Sequence, residues 1–131
     1  MVLRKTIYLA DDDADDRLLL VEAIMSIDPN IEIVEAESGQ QLLAVLQSQT
    51  LPERSLIILD MNMPLMNGLE TLANLHTFPG LALLPTVILS TSGNAEMIKR
   101  AKQLGAMNYY IKPFNIEGLM RLSQQLISEN L

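Results

Sequence analysis

Five short, apolar, strand-like runs alternate along the chain with longer stretches of helical periodicity. The runs cover residues 5–10, 31–36, 55–60, 85–90 and 107–111. The first, third and fourth are almost continuously apolar, which is typical of strands that are covered on both faces. Alternation of this kind predicts a parallel sheet with helices on both faces and right-handed crossovers. We therefore predict an α/β fold with a doubly wound, five-stranded parallel sheet.

The stretches between these runs carry helix signals. Ser38 is placed to cap the second helix, with Gln41 at the position that completes a capping box. Pro64 forbids a continued third strand, and Asn67 with Gly68 ends the turn and starts the third helix. Amphipathic stripes mark the buried faces of the first and last helices: Leu19, Leu20, Ala23, Ile24 and Ile27, and Ile116, Leu119, Met120, Ser123, Leu126 and Ile127.

Composition narrows the class of protein. The chain has 131 residues, of which 49% are hydrophobic, enough for one compact domain with a sizeable core. We predict a single domain over residues 1–131, with no room for an output domain. The net charge of −7 argues against nucleic acid as a partner, because phosphates require clustered Lys and Arg. Without cysteines, neither a disulfide nor a thiolate metal site is expected.

No apolar run approaches the roughly 20 residues that a membrane-spanning helix requires. The amino-terminal stretch MVLRKTIYLA begins with basic residues, but its apolar part is too short for a signal peptide, and acidic residues follow at once. We therefore predict a cytoplasmic protein that does not bind a membrane.

Polar side chains stand at the ends of the predicted strands. In open parallel sheets, ligands bind outside the carboxyl ends of the strands. Asp11 and Asp12 follow the first run, and Asp60 and Ser90 end the third and fourth. Lys112 follows the fifth run. We expect these five side chains, distant in sequence, to meet at one edge of the sheet.

The stretch YLADDDADDRLLL places five aspartates within six positions. Like charges so close together repel one another, so a folded chain needs a compensating cation there. Asp11, Asp12 and Asp60 supply the hard oxygen ligands that Mg²⁺ prefers, with water completing the octahedron. We predict a magnesium site, and we expect the other three aspartates to be solvated residues of a loop and first helical turn.

A carboxylate magnesium site with open positions usually also carries a substrate phosphate. Phosphoryl transfer needs an in-line nucleophile and cations on the equatorial oxygens. Asp60 can supply the nucleophile and form an acyl phosphate. Lys112 brings a fixed positive charge to the same edge, and Ser90 offers a hydroxyl group. The sequence thus contains each part that this chemistry needs.

The ordered motifs resemble those of a known family. Two acids follow the first strand, D-x-N-M-P-x-M-N-G follows the third, a serine ends the fourth and K-P-F follows the fifth. Over nearly the whole chain, this pattern is similar to the response-regulator receiver domain of two-component signalling. The resemblance implies a flavodoxin-like (βα)5 fold with the strand order 2-1-3-4-5.

The resemblance also implies roles for the acidic residues. Asp60 would accept a phosphoryl group from the phosphohistidine of a sensor histidine kinase or a histidine phosphotransfer protein. Asp12 and Asp60 would bind Mg²⁺ directly, Asp11 would act mainly through a water, and the main-chain carbonyl of Asn62 would complete the ligands. Such a protein is not an enzyme beyond catalysing its own phosphorylation and dephosphorylation.

Further roles follow from the same resemblance. Lys112 would pair with the phosphoryl oxygens, and the Lys112–Pro113 peptide bond would be cis. Ser90 and the main-chain N–H of Thr91 would bind the phosphoryl group, and Tyr109 would be the switch aromatic. Phosphorylation would then alter a protein-binding face made by the fourth helix, fifth strand and fifth helix. Its partner would be a downstream protein or a second copy in a homodimer.

Two narrower readings remain. A haloacid-dehalogenase-type phosphatase would use Asp11 as nucleophile and Asp13 as acid–base, but it would leave Asp60 and its turn unexplained. The stretches STSG and GAMNYYIKPF resemble, more loosely, small receivers that serve bacterial phytochrome kinases.

Overall fold

A computed structural model describes residues 4–48 and 54–131, so the start of MVLRKTIYLA and residues 49–53 lie outside the described residues. Strands and helices alternate in it. They are β1 (Lys5–Ala10), α1 (Ala14–Ile27), β2 (Glu32–Ala36), α2 (Gly39–Gln47), β3 (Arg54–Asp60), α3 (Gly68–Leu75), β4 (Thr86–Ser90), α4 (Ala95–Gln103), β5 (Asn108–Ile111) and α5 (Ile116–Asn130). Each predicted strand lies within one residue of its observed bounds.

The strands form one parallel sheet in the order β2-β1-β3-β4-β5. The predicted doubly wound α/β fold and its strand order are therefore confirmed. The central strand β3 shows why the sequence folds this way, because four consecutive apolar residues, Leu56 to Leu59, are fully buried. Burying such a side chain stabilises the fold by roughly 1.5–3 kcal/mol.

Two hydrophobic clusters lie on opposite faces of the sheet. Ile57 and Leu59 belong to the first, which also holds buried side chains of α2, α3 and α4. Leu56 and Ile58 belong to the second, with side chains of α1 and α5. Since successive strand residues point to opposite faces, the continuous apolar runs are covered on both sides.

The helix starts are capped largely as the sequence indicates. The Asn67 side chain accepts from the N–H of Glu70 at 2.8 Å, and the Glu70 side chain accepts from the N–H of Asn67 at 3.1 Å. Ser38 caps α2 by accepting from the N–H of Gln41 at 3.1 Å. The side-chain oxygen of Gln41 accepts from the N–H of Glu37 and not from the N–H of Ser38. The capping box predicted there is therefore not completed.

The helical stripes are less regular than predicted. Leu20, Ile24 and Leu126 are buried, but Leu19 is 47% exposed and Ile116 is 74% exposed. Both exposed residues line an open groove between α1 and α5 at the carboxyl edge of the sheet. Within residues 4–48 and 54–131, none of the helices is both long and apolar enough to span a membrane.

Candidate functional site

Three carboxylates meet at the carboxyl edge of the sheet. Asp11 directly follows β1 and Asp60 is the last residue of β3, and both are buried, each 4% exposed. Asp12 is exposed beside them. One oxygen from each lies within 4.8 Å of the others. The predicted convergence of these acids is therefore confirmed.

Lys112 is the cation of this cluster. Its Nζ lies 2.9 Å from Oδ1 of Asp60 and 3.1 Å from Oδ2 of Asp11. It also lies 3.3 Å from Oδ2 of Asp16. The main-chain N–H of Lys112 donates to the carbonyl of Ser90 at 2.8 Å, which continues the pairing of β5 with β4. The sheet itself thus brings the lysine to the acids.

The predicted cis bond before Pro113 is wrong for this structure. No cis peptide bond occurs among the described residues, which include Lys112 and Pro113. The trans isomer is the intrinsically preferred form of an X–Pro bond. The ion pair between Lys112 and Asp60 forms with a trans bond, so the contact does not require the rarer isomer.

The pKa of Asp60 is raised to about 6. Burial is the largest cause, the hydrogen bond and charge of Lys112 lower the pKa, and the charges of Asp11 and Asp12 raise it. Burial also lowers the pKa of Lys112, but its hydrogen bonds and ion pairs with Asp60 and Asp11 outweigh that effect and raise the pKa overall. One lysine thus does not fully compensate the gathered negative charge. A bound cation would offset the remainder.

The chain folds back tightly after Asp60. Met61 donates its N–H to Leu89 at 2.8 Å, and Gly68 donates its N–H to the carbonyl of Met61 at 3.0 Å. A Cβ on Gly68 would stand 2.7 Å from the main-chain oxygen of Asp60, so this close approach requires glycine. Asn62 is exposed in the turn, two residues beyond Asp60.

Ser90 and Tyr109 are linked through Ser92. Ser90 is fully buried, and its Oγ accepts from the N–H of Ser92 at 3.1 Å. Tyr109 donates its hydroxyl to the carbonyl of Ser92 at 2.6 Å and packs partly buried on the α2–α4 side of the sheet. Thr91, between the two serines, is exposed. Ser92 therefore contacts the hydroxyl groups of both Ser90 and Tyr109.

Sequence reasoning missed two residues of this region. Asp16, expected to be merely solvated, pairs with Lys112, whereas Asp13 and Asp15 are exposed as expected, with Asp13 capping α1. Arg17 donates to the main-chain oxygen of Asp11 at 2.5 Å. The sequence did hold a signal for this contact. Arg17 directly follows the run of aspartates, and a long cationic side chain at that position can reach back to the residues at the start of the run.

The donor set suits a hard divalent cation. Asp11, Asp12 and Asp60 offer only carboxylate oxygens, and their oxygens are close enough together to share one ion. Magnesium is bound in proteins by one or two carboxylates with water and phosphate oxygens in its remaining positions. The residues present therefore fit the predicted magnesium ion.

Comparison with known proteins agrees with this geometry. The family described as response regulator receiver domain matches residues 7–124. A Rhizobium etli protein named "Probable chemotaxis protein CheY" is 34% identical, over 85% of this chain and 83% of its own. Response regulator Rcp1 of Synechocystis sp. is 30% identical, over 95% of this chain and 87% of its own. Its solved Mn²⁺-bound form superposes with a TM-score of 0.81 at 31% identity, covering 95% and 92% of the two chains.

The phosphorylated cyanobacterial phytochrome response regulator RcpA has a similar structure. It superposes with a TM-score of 0.86 at 29% identity, covering 97% of this chain and 94% of its own. None of these similarities supports the haloacid-dehalogenase alternative, and the Asp13 carboxylate, its expected acid–base group, caps α1 instead. The chain belongs to the response regulator receiver domain family.

Proposed function

We propose that Asp60 accepts a phosphoryl group from the phosphohistidine of a sensor histidine kinase or a histidine phosphotransfer protein. Receiver domains are phosphoacceptors, not classical enzymes, and they bind a divalent metal. The observation that carries the proposal for this chain is the 2.9 Å contact between Lys112 Nζ and Asp60 Oδ1, within the acidic edge of the sheet. That contact pairs a candidate nucleophile with a fixed cation.

Each side chain of the site has its own role in the proposed phosphoryl transfer. A carboxylate oxygen of Asp60 bonds to phosphorus as the bond to the donor histidine nitrogen breaks. Lys112 holds the phosphoryl oxygens, and the Ser90 hydroxyl and the Thr91 N–H donate hydrogen bonds to them. Asp11, Asp12, Asp60 and the Asn62 carbonyl would hold Mg²⁺. When bound, this ion would neutralise charge on the transferring oxygens.

The same site would operate a switch. A phosphoryl group adds roughly 1.5 to 2 negative charges. It draws the Ser90 hydroxyl away from the N–H of Ser92, and the Ser92 carbonyl then releases Tyr109. Reorientation of Tyr109 changes the face made by α4, β5 and α5. We propose that this face binds a downstream protein or a second copy of the chain.

A small phosphodonor tests the acceptor without any kinase. The protein is incubated with acetyl phosphate and Mg²⁺, and the modified residue is mapped by mass spectrometry. Asp60→Asn is the loss variant. Asp15→Asn is its matched control, because Asp15 is an exposed member of the same acidic run and its main-chain N–H, rather than its carboxylate, makes the contact with Asp13.

We expect modification at Asp60 in the native protein and in Asp15→Asn, and none in Asp60→Asn. Modification of Asp11, or unchanged labelling of Asp60→Asn, would overturn the proposal. Labelling by acetyl phosphate alone also tests whether the protein catalyses its own phosphorylation.

The identity of the phosphodonor is a narrower part of the proposal. The similarity to RcpA supports a kinase of the phytochrome class. A panel of autophosphorylated kinases that includes such a kinase, with the rates of transfer compared, tests this assignment. Faster transfer from an unrelated kinase would refute it while leaving Asp60 as the acceptor.

A further inference from the structure

Arg17 connects the loop of residues 11–13, between β1 and α1, to β2. Its side chain is only 11% exposed, although it lies on the first turns of α1. Its Nε lies 3.2 Å from Oε1 of Glu35 on β2, and its Nη2 lies 4.0 Å from Oε1 of Glu37. Its Nη1 donates to the main-chain oxygen of Asp11 at 2.5 Å. One guanidinium therefore donates to Glu35 and to the Asp11 main chain, which belong to two segments of the chain.

This contact completes the anchoring of Asp11. The main-chain N–H of Asp11 donates to the carbonyl of Ala36 at 3.1 Å, at the end of β2. Its carbonyl accepts from Arg17, which is itself held by β2. Both main-chain polar groups of Asp11 are thus tied to the same neighbouring strand. The peptide unit that joins Asp11 to Asp12 is fixed in orientation as a result.

The side chain of Asp11 depends on that orientation. Its Oδ1 accepts from the N–H of Asp13 at 2.9 Å, which leaves Oδ2 for Lys112 at 3.1 Å. The next residue, Asp12, must present its carboxylate beside Asp60. A rotated peptide after Asp11 would move Asp12 away from the shared position, and it would break the hydrogen bond from the N–H of Asp13 that holds the Asp11 carboxylate.

We propose that Arg17 is a positioning residue for the divalent metal site, holding the loop so that Asp11 and Asp12 face Asp60. This inference rests on the proposed function, because it assumes that these acids bind the metal. Arg17 contacts neither the carboxylate of Asp60 nor that of Asp12 within the described contacts, so its effect is exerted through the Asp11 main chain.

The charge of Arg17 and its proposed positioning role predict opposite effects on metal affinity when Arg17 is replaced. A cation near a metal site repels the metal, so removing Arg17 would tighten binding if charge alone mattered. Removing the anchor would weaken binding. Lysine keeps the charge but is a point donor without the planar fork that reaches the Asp11 carbonyl and Glu35 together. Arg17→Lys and Arg17→Gln therefore separate the two effects.

The test measures Mn²⁺ affinity directly, by electron paramagnetic resonance of the free ion. Native protein, Arg17→Lys and Arg17→Gln are compared with Arg4→Gln. This control also removes an arginine that pairs with a glutamate of β2. Its partner is Glu32, at the end of the sheet away from the acids. We expect both Arg17 variants to bind on the order of 10-fold more weakly, as for other partners of metal ligands. Arg4→Gln should bind like the native protein.

Glu35 provides a second test, because it is the ionic partner of Arg17. Glu35→Gln weakens the hold on Arg17 without touching an acid of the site. If Arg17 acts through this link, Arg17→Gln should cost less Mn²⁺ affinity in the Glu35→Gln background than in the native one, about 3-fold instead of 10-fold. Urea unfolding of each variant shows whether its change in Mn²⁺ affinity merely follows a change in the free energy of unfolding.

The outcomes are distinguishable. Weaker binding by both Arg17 variants, with coupling to Glu35, supports the proposal. Native-like binding by Arg17→Lys, or binding by Arg17→Gln as tight as or tighter than native, overturns it and leaves the proposed function intact. If the native protein itself binds no Mn²⁺, the metal site of the proposed function fails, and the positioning role of Arg17 fails with it.

Discussion

The phenol oxygen of Tyr109 lies 2.6 Å from the main-chain oxygen of Ser92, and the N–H of the same serine lies 3.1 Å from Ser90 Oγ. A single residue of the loop between β4 and α4, Ser92, thus bonds both the buried hydroxyl group of Ser90 on β4 and the hydroxyl group of Tyr109 on β5. We expect the loop conformation to depend on both contacts.

Replacing Tyr109 with Phe should loosen this loop. The variant loses one partly exposed hydrogen bond, so the free energy of unfolding should fall by about 0.5 kcal/mol. Amide hydrogen exchange should accelerate over residues 91–94 and stay unchanged in β1 and β3. Tyr110→Phe is the matched control, because the Tyr110 hydroxyl donates to Glu129 at the far end of α5. Equal exchange at 91–94 in all three proteins would contradict the expectation.

Replacing Asp60 with Asn should change how stability depends on pH. The pKa of Asp60 is raised from 3.8 to about 6 by burial, so between these values the folded protein binds more protons than the unfolded chain. The free energy of unfolding of the metal-free protein should therefore fall as pH rises from about 4 to 6, by on the order of 3 kcal/mol. Asp60→Asn lacks this proton and should lack this slope.

Urea unfolding in a chelator, from pH 4 to 7.5, checks the difference between the two proteins. Native protein and Asp60→Asn should be closest in stability near pH 4, and the variant should be the more stable near neutral pH. Parallel curves across the range would show that Asp60 keeps its ordinary pKa.

Magnesium should reverse this loss near neutral pH. A ligand that binds only the folded state stabilises it by about 2.7 kcal/mol at 100 times its Kd. We expect Mg²⁺ to raise the melting temperature of the native protein at pH 7.5, and to raise that of Asp60→Asn much less. Differential scanning calorimetry at increasing Mg²⁺ concentrations measures both melting temperatures. Equal shifts in the two proteins would place the ion elsewhere.

Replacing Lys112 with Met should destabilise the metal-free protein. The change leaves the buried carboxylates of Asp60 and Asp11 without their cation, which costs about 3 kcal/mol at neutral pH. The loss should be smaller at pH 5, where Asp60 carries a proton in more of the molecules. Lys99→Met, on an exposed position of α4, is the control. A pH-independent loss in Lys112→Met would refute this electrostatic explanation.

Replacing Gly68 with Ala should disturb the turn that follows Asp60. The new methyl group would meet the main chain of Asp60 at 2.7 Å and that of Met61 at 3.0 Å, and main-chain atoms have little room to move. We expect a loss of about 1–3 kcal/mol, the usual range for overpacking. Gly80→Ala is the matched control, since its Cβ would meet no atom within 4 Å. Equal urea midpoints for the two variants would contradict the close approach.

The sheet could be predicted from the sequence because its signals are local. Runs such as Leu56 to Leu59 fix a strand by their own composition, and strand ends then locate Asp60 and Ser90 by a general rule of parallel sheets. Each strand was therefore found within one residue of its bounds. The meeting of Lys112 with Asp60 follows from the same rule, although the residues lie on different strands.

The remaining contacts depend on three-dimensional detail. Arg17 binds a main-chain oxygen of Asp11 and a side chain of β2, and no periodicity reports either contact. Ser92 links Ser90 to Tyr109 through its main chain, so its side chain gives no signal. The cis bond was inferred from resemblance alone, and the trans isomer of Pro113 was not visible in any pattern.

The sharing of Lys112 among Asp60, Asp11 and Asp16 has a consequence for the speed of response. The ammonium group is already in place before any donor protein docks, so this lysine does not have to move into the site during the encounter. The free-energy cost of placing this lysine among the aspartates is met when the chain folds, and not at each signalling event.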